Sequence, residues 1–251
     1  MKIIPVTGSS GSGKTTLIRA LIPLLARYGP VGTVKHAGRH AMDLLPGKDT
    51  TVMFGEGAAA VAGIDREKML VTLGSTSLAD ALDILSGQGV ATAVVEGWKT
   101  IPWPKVVIGD INAEGCILRN PEPGEVIRMR DRFPEYFTMA GILQDIRQAV
   151  GEQEGTAPTA LVTYTGRISL SGKGGSLSGQ GGTFSAIAGW AEGLPGVIVA
   201  RVAIKQGTLL GLRDELLIAI AAERGDLAAT ALARTLERCR EDLKDPGFAL
   251  P

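Results

Sequence analysis

Apolar residues recur along this chain in two rhythms. A short run, KIIPVT, gives way after a Gly- and Ser-rich turn to KTTLIRALIPLLARYG, whose apolar positions return at helical spacing before a glycine stop. That pattern predicts strand, loop, helix. VGTVKH (31–36), TAVVEGW (92–98) and KVVIGD (105–110) are short apolar runs that read as further strands, and SLADALDILSGQG has the helical period. Strands alternating with helices predict an α/β fold built on a mostly parallel sheet.

The rhythm changes near residue 150. GEQEGTAPT is polar and carries Gly and Pro, as a linker does. Beyond it TALVTYTGRISL, GVIVARVAI and DELLIAIAA read as strands, and DLAATALARTLERCREDLK as one amphipathic helix. The expectation is a first domain over residues 1–150 and a smaller α+β domain over 157–251. Between the first two of these strands lies SGKGGSLSGQGG, which lacks the Lys-Ser/Thr and the following helix of a phosphate cradle and reads as a hairpin tip.

At 251 residues and 45% hydrophobic content the chain can bury a sizeable core. Its 26 Lys and Arg balance 26 Asp and Glu, so no overall field recruits nucleic acid or an anionic membrane, and a small-molecule or specific protein partner is expected. Cys116 and Cys239 share no metal-binding or disulfide-framework spacing. Together with an N-terminus unlike a signal peptide and no apolar run near the ~20 residues of a membrane span, this points to the cytoplasm.

The turn after the first strand carries the chemistry. Gly8, Ser9, Ser10, Gly11, Ser12, Gly13, Lys14 and Thr15 satisfy GxxxxGK[ST] between a predicted strand and a predicted helix. Glycines let backbone N–H groups turn inward around a β-phosphate, and the helix N-terminus adds partial positive charge. Lys14 is placed to reach the β- and γ-phosphates, Thr15 to help hold Mg²⁺, and Thr16 follows at the helix start. A nucleoside triphosphate site is expected.

Such a site needs a carboxylate on the metal side. Glu96 ends the apolar strand TAVVEGW, where it would serve Mg²⁺ or the attacking water. Asp43 and Asp49, in DLLPGKD with Lys48, are competing candidates, the first of them also for the metal. Lys35, His36, Arg39 and His40 fall in KHAGRH after the second strand; with no Cys or acid adjacent they suit a cationic patch facing an anionic ligand better than a zinc site. Trp98 and Trp103, beside Pro102 and Pro104, read as loop packing.

VTGSSGSGKTTLI, VGTVKHAGRHAMDLLPGKDT, GEGAAAV and VVEGWKTIPWPKVVI stand in the order seen in the molybdopterin-guanine dinucleotide biosynthesis protein B family, MobB, which residues 1–115 resemble. The resemblance implies a dimeric GTP-binding protein with weak GTPase activity that assists the guanylyltransferase MobA in attaching GMP to molybdopterin. It also carries the choice of GTP over ATP, because no NKxD guanine motif is visible; GDINAEG (109–115) is only a stretch in a suitable place.

Beyond the linker, ALVTYTGRI (160–168) and residues 204–245 resemble the large subunit of molybdopterin synthase, MoaE, which implies molybdopterin as a bound ligand and the synthase small subunit as a partner. The chain departs from that family where Glu223-Arg224 stands for His-Arg, and of two C-terminal lysines only Lys244 has a counterpart. An anionic pterin phosphate and a thiocarboxylate need cations, so these changes imply a domain inactive in sulfur transfer, with Arg167, Arg224 and Lys244 its remaining ligand-facing charges and Lys173 a further candidate. The alternative for the whole chain is a P-loop kinase transferring a γ-phosphate to a metabolite, although the multiple lid arginines of such kinases are not evident.

Overall fold

A computed structural model describes residues 1–38, 47–75, 77–151, 158–167, 181–206, 210 and 214–243. Its first half is a five-stranded parallel sheet in the order β2-β5-β1-β6-β7, formed by β1 (Lys2–Gly8), β2 (Val31–Lys35), β5 (Thr92–Glu96), β6 (Lys105–Ile108) and β7 (Cys116–Arg119). Strands β3 (Ala60–Ile64) and β4 (Met69–Leu73) form a separate antiparallel hairpin beside α2 (Asp49–Gly55).

Successive residues of β1 point to opposite faces, and both faces are covered. Ile4 and Val6 pack with Leu17, Ile18 and Leu21 of α1 (Lys14–Leu25), together with Val126 of α4 (Pro123–Arg128). Ile3 packs on the other side with Leu78 and Leu82 of α3 (Leu78–Gly87). A sheet wedged between helices has no solvated face, which is why its strands are continuous apolar runs.

The second half differs. Strands β8 (Ala160–Arg167), β9 (Val197–Lys205) and β10 (Glu215–Ala222) form an antiparallel sheet in the order β8-β10-β9. Helices α6 (Gly181–Glu192) and α7 (Gly225–Leu243) pack on one face through Phe184, Ile187, Ala231 and Leu236. The other face takes Ile142 and Ile146 of α5 (Met139–Gly151). Leu216, Ile218 and Ile220 face α6 and α7 while Leu217, Ala219 and Ala221 face α5, so β10 is apolar throughout although it is antiparallel.

The observed order places α6 between β8 and β9, and these two strands do not pair. The Gly-rich segment is therefore not the tip of a hairpin: Gly181 and Gly182 already belong to α6, and the rest of SGKGGSLSGQGG, Lys173 included, lies outside the described residues. Across the two halves, Asp83 of α3 accepts hydrogen bonds from the Tyr136 hydroxyl and from Lys205 Nζ of β9, each at 2.7 Å. Burial, and then the bond to Asp83, raise the Tyr136 phenol well above its ordinary pKa.

Candidate functional site

The C-terminal ends of β2, β5, β1 and β6 meet around the loop between β1 and α1. Gly11 and Gly13 have φ of +72° and +95°, a region open to glycine at little cost. A side chain on Gly8 would bring its Cβ within 2.4 Å of the Ile108 carbonyl oxygen, so glycine is needed there for close approach to β6. No side chain caps α1, which leaves its first N–H groups facing outward for an anion. Lys14 bends over the loop and donates to the Ser9 carbonyl at 2.6 Å; a phosphate would offer a charged and stronger acceptor. Thr15 and Thr16 lie exposed on the first turn of α1. Beneath the loop, the Thr7 and Ser12 hydroxyls are buried without a hydrogen-bond partner.

On one flank β5 delivers Glu96. Its register sets it beside Val6 of β1 and Lys35 of β2, with the Lys35 ammonium 4.0 Å from its carboxylate. Only 14% of the Glu96 side chain is exposed, so the carboxylate sits at the mouth of the sheet rather than in open solvent. His36 donates its backbone N–H to the Glu96 carbonyl, and its ring lies 4.8 Å from that of Trp98. Gly97 and Trp98 both have positive φ, +114° and +43°. A Cβ on Gly97 would lie 2.7 Å from that of His36, and the left-handed Trp98 stores backbone strain beside the loop.

Among the residues singled out in the sequence, the sheet register sets Glu96 beside Val6, at the end of β1 that leads into the Gly8–Thr16 loop, and Lys35 beside Glu96. Asp49 stands apart: it is exposed in the first turn of α2, a helix that packs on β3. Arg39, His40 and Asp43 lie outside the described residues. Among the described residues no three His, Cys, Asp or Glu side chains converge on a metal position. The Thr15 hydroxyl and the Glu96 carboxylate are hard oxygen donors of the kind Mg²⁺ takes alongside phosphate oxygens and water.

Three features were missed in the sequence. The Trp98 side chain packs as expected, but its stacking on His36 depends on two distant strand ends meeting. Lys105 is buried, 1% exposed, and its ammonium donates to the carbonyls of Lys99 and Ile101, tying down the loop after Glu96; burial lowers its pKa. An apolar strand opening with Lys was the only hint. On the opposite flank Arg119, the last residue of β7, and Asn120 after it bond to the turn at Gly109.

In the second half the cations are dispersed. Arg167 pairs in register with Glu215 at one end of the sheet, whereas Arg224 follows Ala222 at the other. Along the eight residues of β8 this is a separation of about 24 Å, so the two cannot share one anion pocket as expected. Arg224 is moreover held by Asp226 through two hydrogen bonds, at 3.0 and 2.6 Å. Lys244 lies outside the described residues.

A parallel sheet with this glycine loop between its central strand and an uncapped helix defines the class of P-loop folds. Comparison with known proteins places the first half more narrowly. Residues 3–120 match the family model of MobB, molybdopterin guanine dinucleotide synthesis protein B. A molybdopterin-guanine dinucleotide biosynthesis adapter protein from Haemophilus influenzae is 35% identical over 111 residues, covering 42% of this chain and 62% of that protein. Similar solved structures include MobB of Bacillus subtilis (21% identity, TM-score 0.43, covering 53% of this chain and 99% of that one). Another is a MobB homologue of Bacillus stearothermophilus (22% identity, TM-score 0.37, covering 59% and 99%). The N-terminal region is thus MobB-like, and the family match ends before α4.

Proposed function

We propose that this protein is a GTP-binding adaptor in molybdenum cofactor biosynthesis, assisting a MobA-like guanylyltransferase to attach GMP to molybdopterin. The observation that carries this reading is a complete phosphate-binding loop inside the region matched by MobB. In it, Gly8 to Gly13 cradle the β-phosphate, Lys14 reaches the β- and γ-phosphates, and Thr15 and Glu96 serve Mg²⁺, which would polarise the γ-phosphate. Lys35 and His36 face the terminal phosphate, and Glu96 orients the water of a slow GTPase.

A second site supports the adaptor role. A cavity of about 560 Å³ lies between the two halves, walled by Trp103, Phe133 and Phe184 and edged by Lys2, Arg132 and Arg201. Flat aromatic walls suit a pterin ring, and because Lys2 and Arg201 are paired with Glu135 and Glu192, a pterin phosphate would fall to Arg132 at the rim. Lys2 and the phosphate loop mark opposite ends of β1, seven residues or about 23 Å apart. A pterin held there cannot react with GTP on the same protomer, so GMP transfer falls to the partner enzyme and the second half is a docking module. The separation of Arg167 from Arg224 favours the same reading over sulfur transfer.

The hairpin β3–β4 supplies a dimer surface. Ile64, Met69 and Leu70 are 78, 57 and 63% exposed, and Met53 of the neighbouring α2 is 56% exposed. Ile64 and Met69 pair across the hairpin on one face and Leu70 lies on the other, and exposed apolar surface of this extent marks an interface. The test is to purify the protein with and without a MobA-like guanylyltransferase and follow GMP attachment to molybdopterin. Stimulation that requires Lys14 supports the proposal; phosphorylation of a small metabolite instead would establish the kinase. An I64K/L70K double variant should sediment as a monomer.

A further inference from the structure

The flank of the phosphate loop away from Glu96 ends in a turn whose construction points to a ligand. Residues 109–112 leave β6 directly against the loop: a Cβ on Gly109 would lie 3.6 Å from Ser12 Cβ and 3.8 Å from Ser9 Oγ. Two side chains brace this turn. Asn120, itself left-handed at φ +47°, accepts the Gly109 N–H at 2.6 Å through Oδ1. Arg119 spends its guanidinium on the carbonyls of Gly109 and Ile111, at 2.9 and 3.1 Å. Between those two carbonyls the Asp110 side chain projects fully into solvent, its nearest cation, Arg119, at 4.0 Å and beyond hydrogen-bond range. A fixed turn thus presents a carboxylate with unfilled acceptor capacity. Because Asn120 uses Oδ1 on the backbone, its NH₂ group points away as a donor.

With the γ-phosphate on the β5 side beside Glu96 and Lys35, as proposed above, the nucleoside of a bound triphosphate would leave on the β6 side, over this turn. We propose that residues 109–112, braced by Arg119 and Asn120, form the base-reading element of the site, with Asp110 selecting guanine. The inference rests on the P-loop reading above. The chemistry is one of matched edges. Guanine turns two adjacent donors, N1–H and the 2-amino group, toward a carboxylate, and its O6 and N7 accept from an amide NH₂ such as that of Asn120. Adenine offers an unprotonated N1 at the same place and xanthine an oxygen at position 2. Each sets a lone pair against the carboxylate and is refused.

The experiment is competition of unlabelled GTP, ATP and xanthosine triphosphate against a fluorescent GTP analogue, on the full-length wild type, D110N and D110A. Wild type should prefer GTP. D110N should lose about 10- to 100-fold for GTP, the scale of hydrogen bonds to a charged group, and gain for xanthosine triphosphate, because an amide donates to the position-2 oxygen. D110A should lose GTP without that gain. Asp110 is fully exposed, so neither change disturbs packing. The proposal is overturned if D110N keeps the wild-type ranking, or if wild type binds GTP and ATP equally; both results leave the P-loop reading standing. Absence of triphosphate binding to wild type overturns both.

Discussion

The two halves of this molecule use charge and backbone strain in opposite ways. Around the phosphate loop two non-glycine residues, Trp98 and Asn120, are held left-handed just past the ends of β5 and β7. Charged groups there are only loosely paired: Lys35 and Glu96 stand 4.0 Å apart, as do Arg119 and Asp110. In the second half several cations are engaged internally. Arg201 binds Glu192, Arg224 binds Asp226, and Arg238 binds Asp242 while lying, with Arg234, over the Trp190 ring. Strain and unmet polar capacity persist only where the surrounding structure overdetermines them, and they mark a place kept ready for a ligand. A region whose polar groups already satisfy one another offers no such ready charge.

That contrast can be broken most severely from the scaffold side. Ile218 is fully buried in β10, and Ile218→Ala should destabilise the protein by about 2–5 kcal/mol, the cost of lost burial plus a cavity, without changing the nucleotide affinity of the molecules that remain folded. Denaturant titration alongside GTP binding reads both. An equal loss of affinity would show that the halves are not independent in this respect.

From the site side, Lys14→Ala should weaken GTP binding by about 100-fold while leaving the unfolding midpoint in place, since its ammonium makes one exposed hydrogen bond, to the Ser9 carbonyl of its own loop. Calorimetric titration checks it, and unchanged affinity in a folded variant would remove the nucleotide reading altogether. Glu96→Gln should reduce GTP hydrolysis by roughly 10- to 100-fold with little change in affinity, because it keeps shape but removes charge where charge develops. If Asp49→Asn has that effect and Glu96→Gln does not, the metal-side carboxylate lies in the first turn of α2 instead.

The smallest effect concerns the cysteines, one in each half. Cys239 is completely buried on α7, and burial, followed by the nearby Asp242 charge, pushes its thiol up to about 12. Its folded pKa exceeds its unfolded one, so its contribution to stability is present at neutral pH and is lost as pH rises from about 9 toward 12. At pH 8 a thiol reagent should therefore modify half-buried Cys116 and reach Cys239 only after unfolding. Two rapidly reacting thiols in the native protein would contradict the tight packing of the second half.

Much of the phosphate loop was written locally. Glycines at fixed offsets, a Lys-Thr pair and a helical period following an apolar run are contiguous features, and the backbone geometry they need is set within one turn. Strands β1, β5, β6, β9 and β10 were legible for a similar reason: an uninterrupted apolar run has to be buried on both faces. The β3–β4 hairpin was not legible in this way, because apart from Val61 its large apolar residues remain exposed and show no inside-outside alternation. The same reasoning also passed over α6, which begins in a Gly-rich stretch that local propensity assigns to a loop and is held by packing against β9 and α7.

By itself the sequence determined the phosphate loop, the parallel α/β character of the first half and the change to α+β in the second, because each depends on residues close together in the chain. Only the tertiary structure decided that His36 stacks on Trp98, that Asn120 and Arg119 brace the turn carrying Asp110, and that Arg167 and Arg224 stand at opposite ends of one sheet. Those relations arise from strand order and register. Residues far apart in the chain become neighbours, or are kept apart, according to how the sheets bury their apolar faces, and no local pattern of side chains records that outcome.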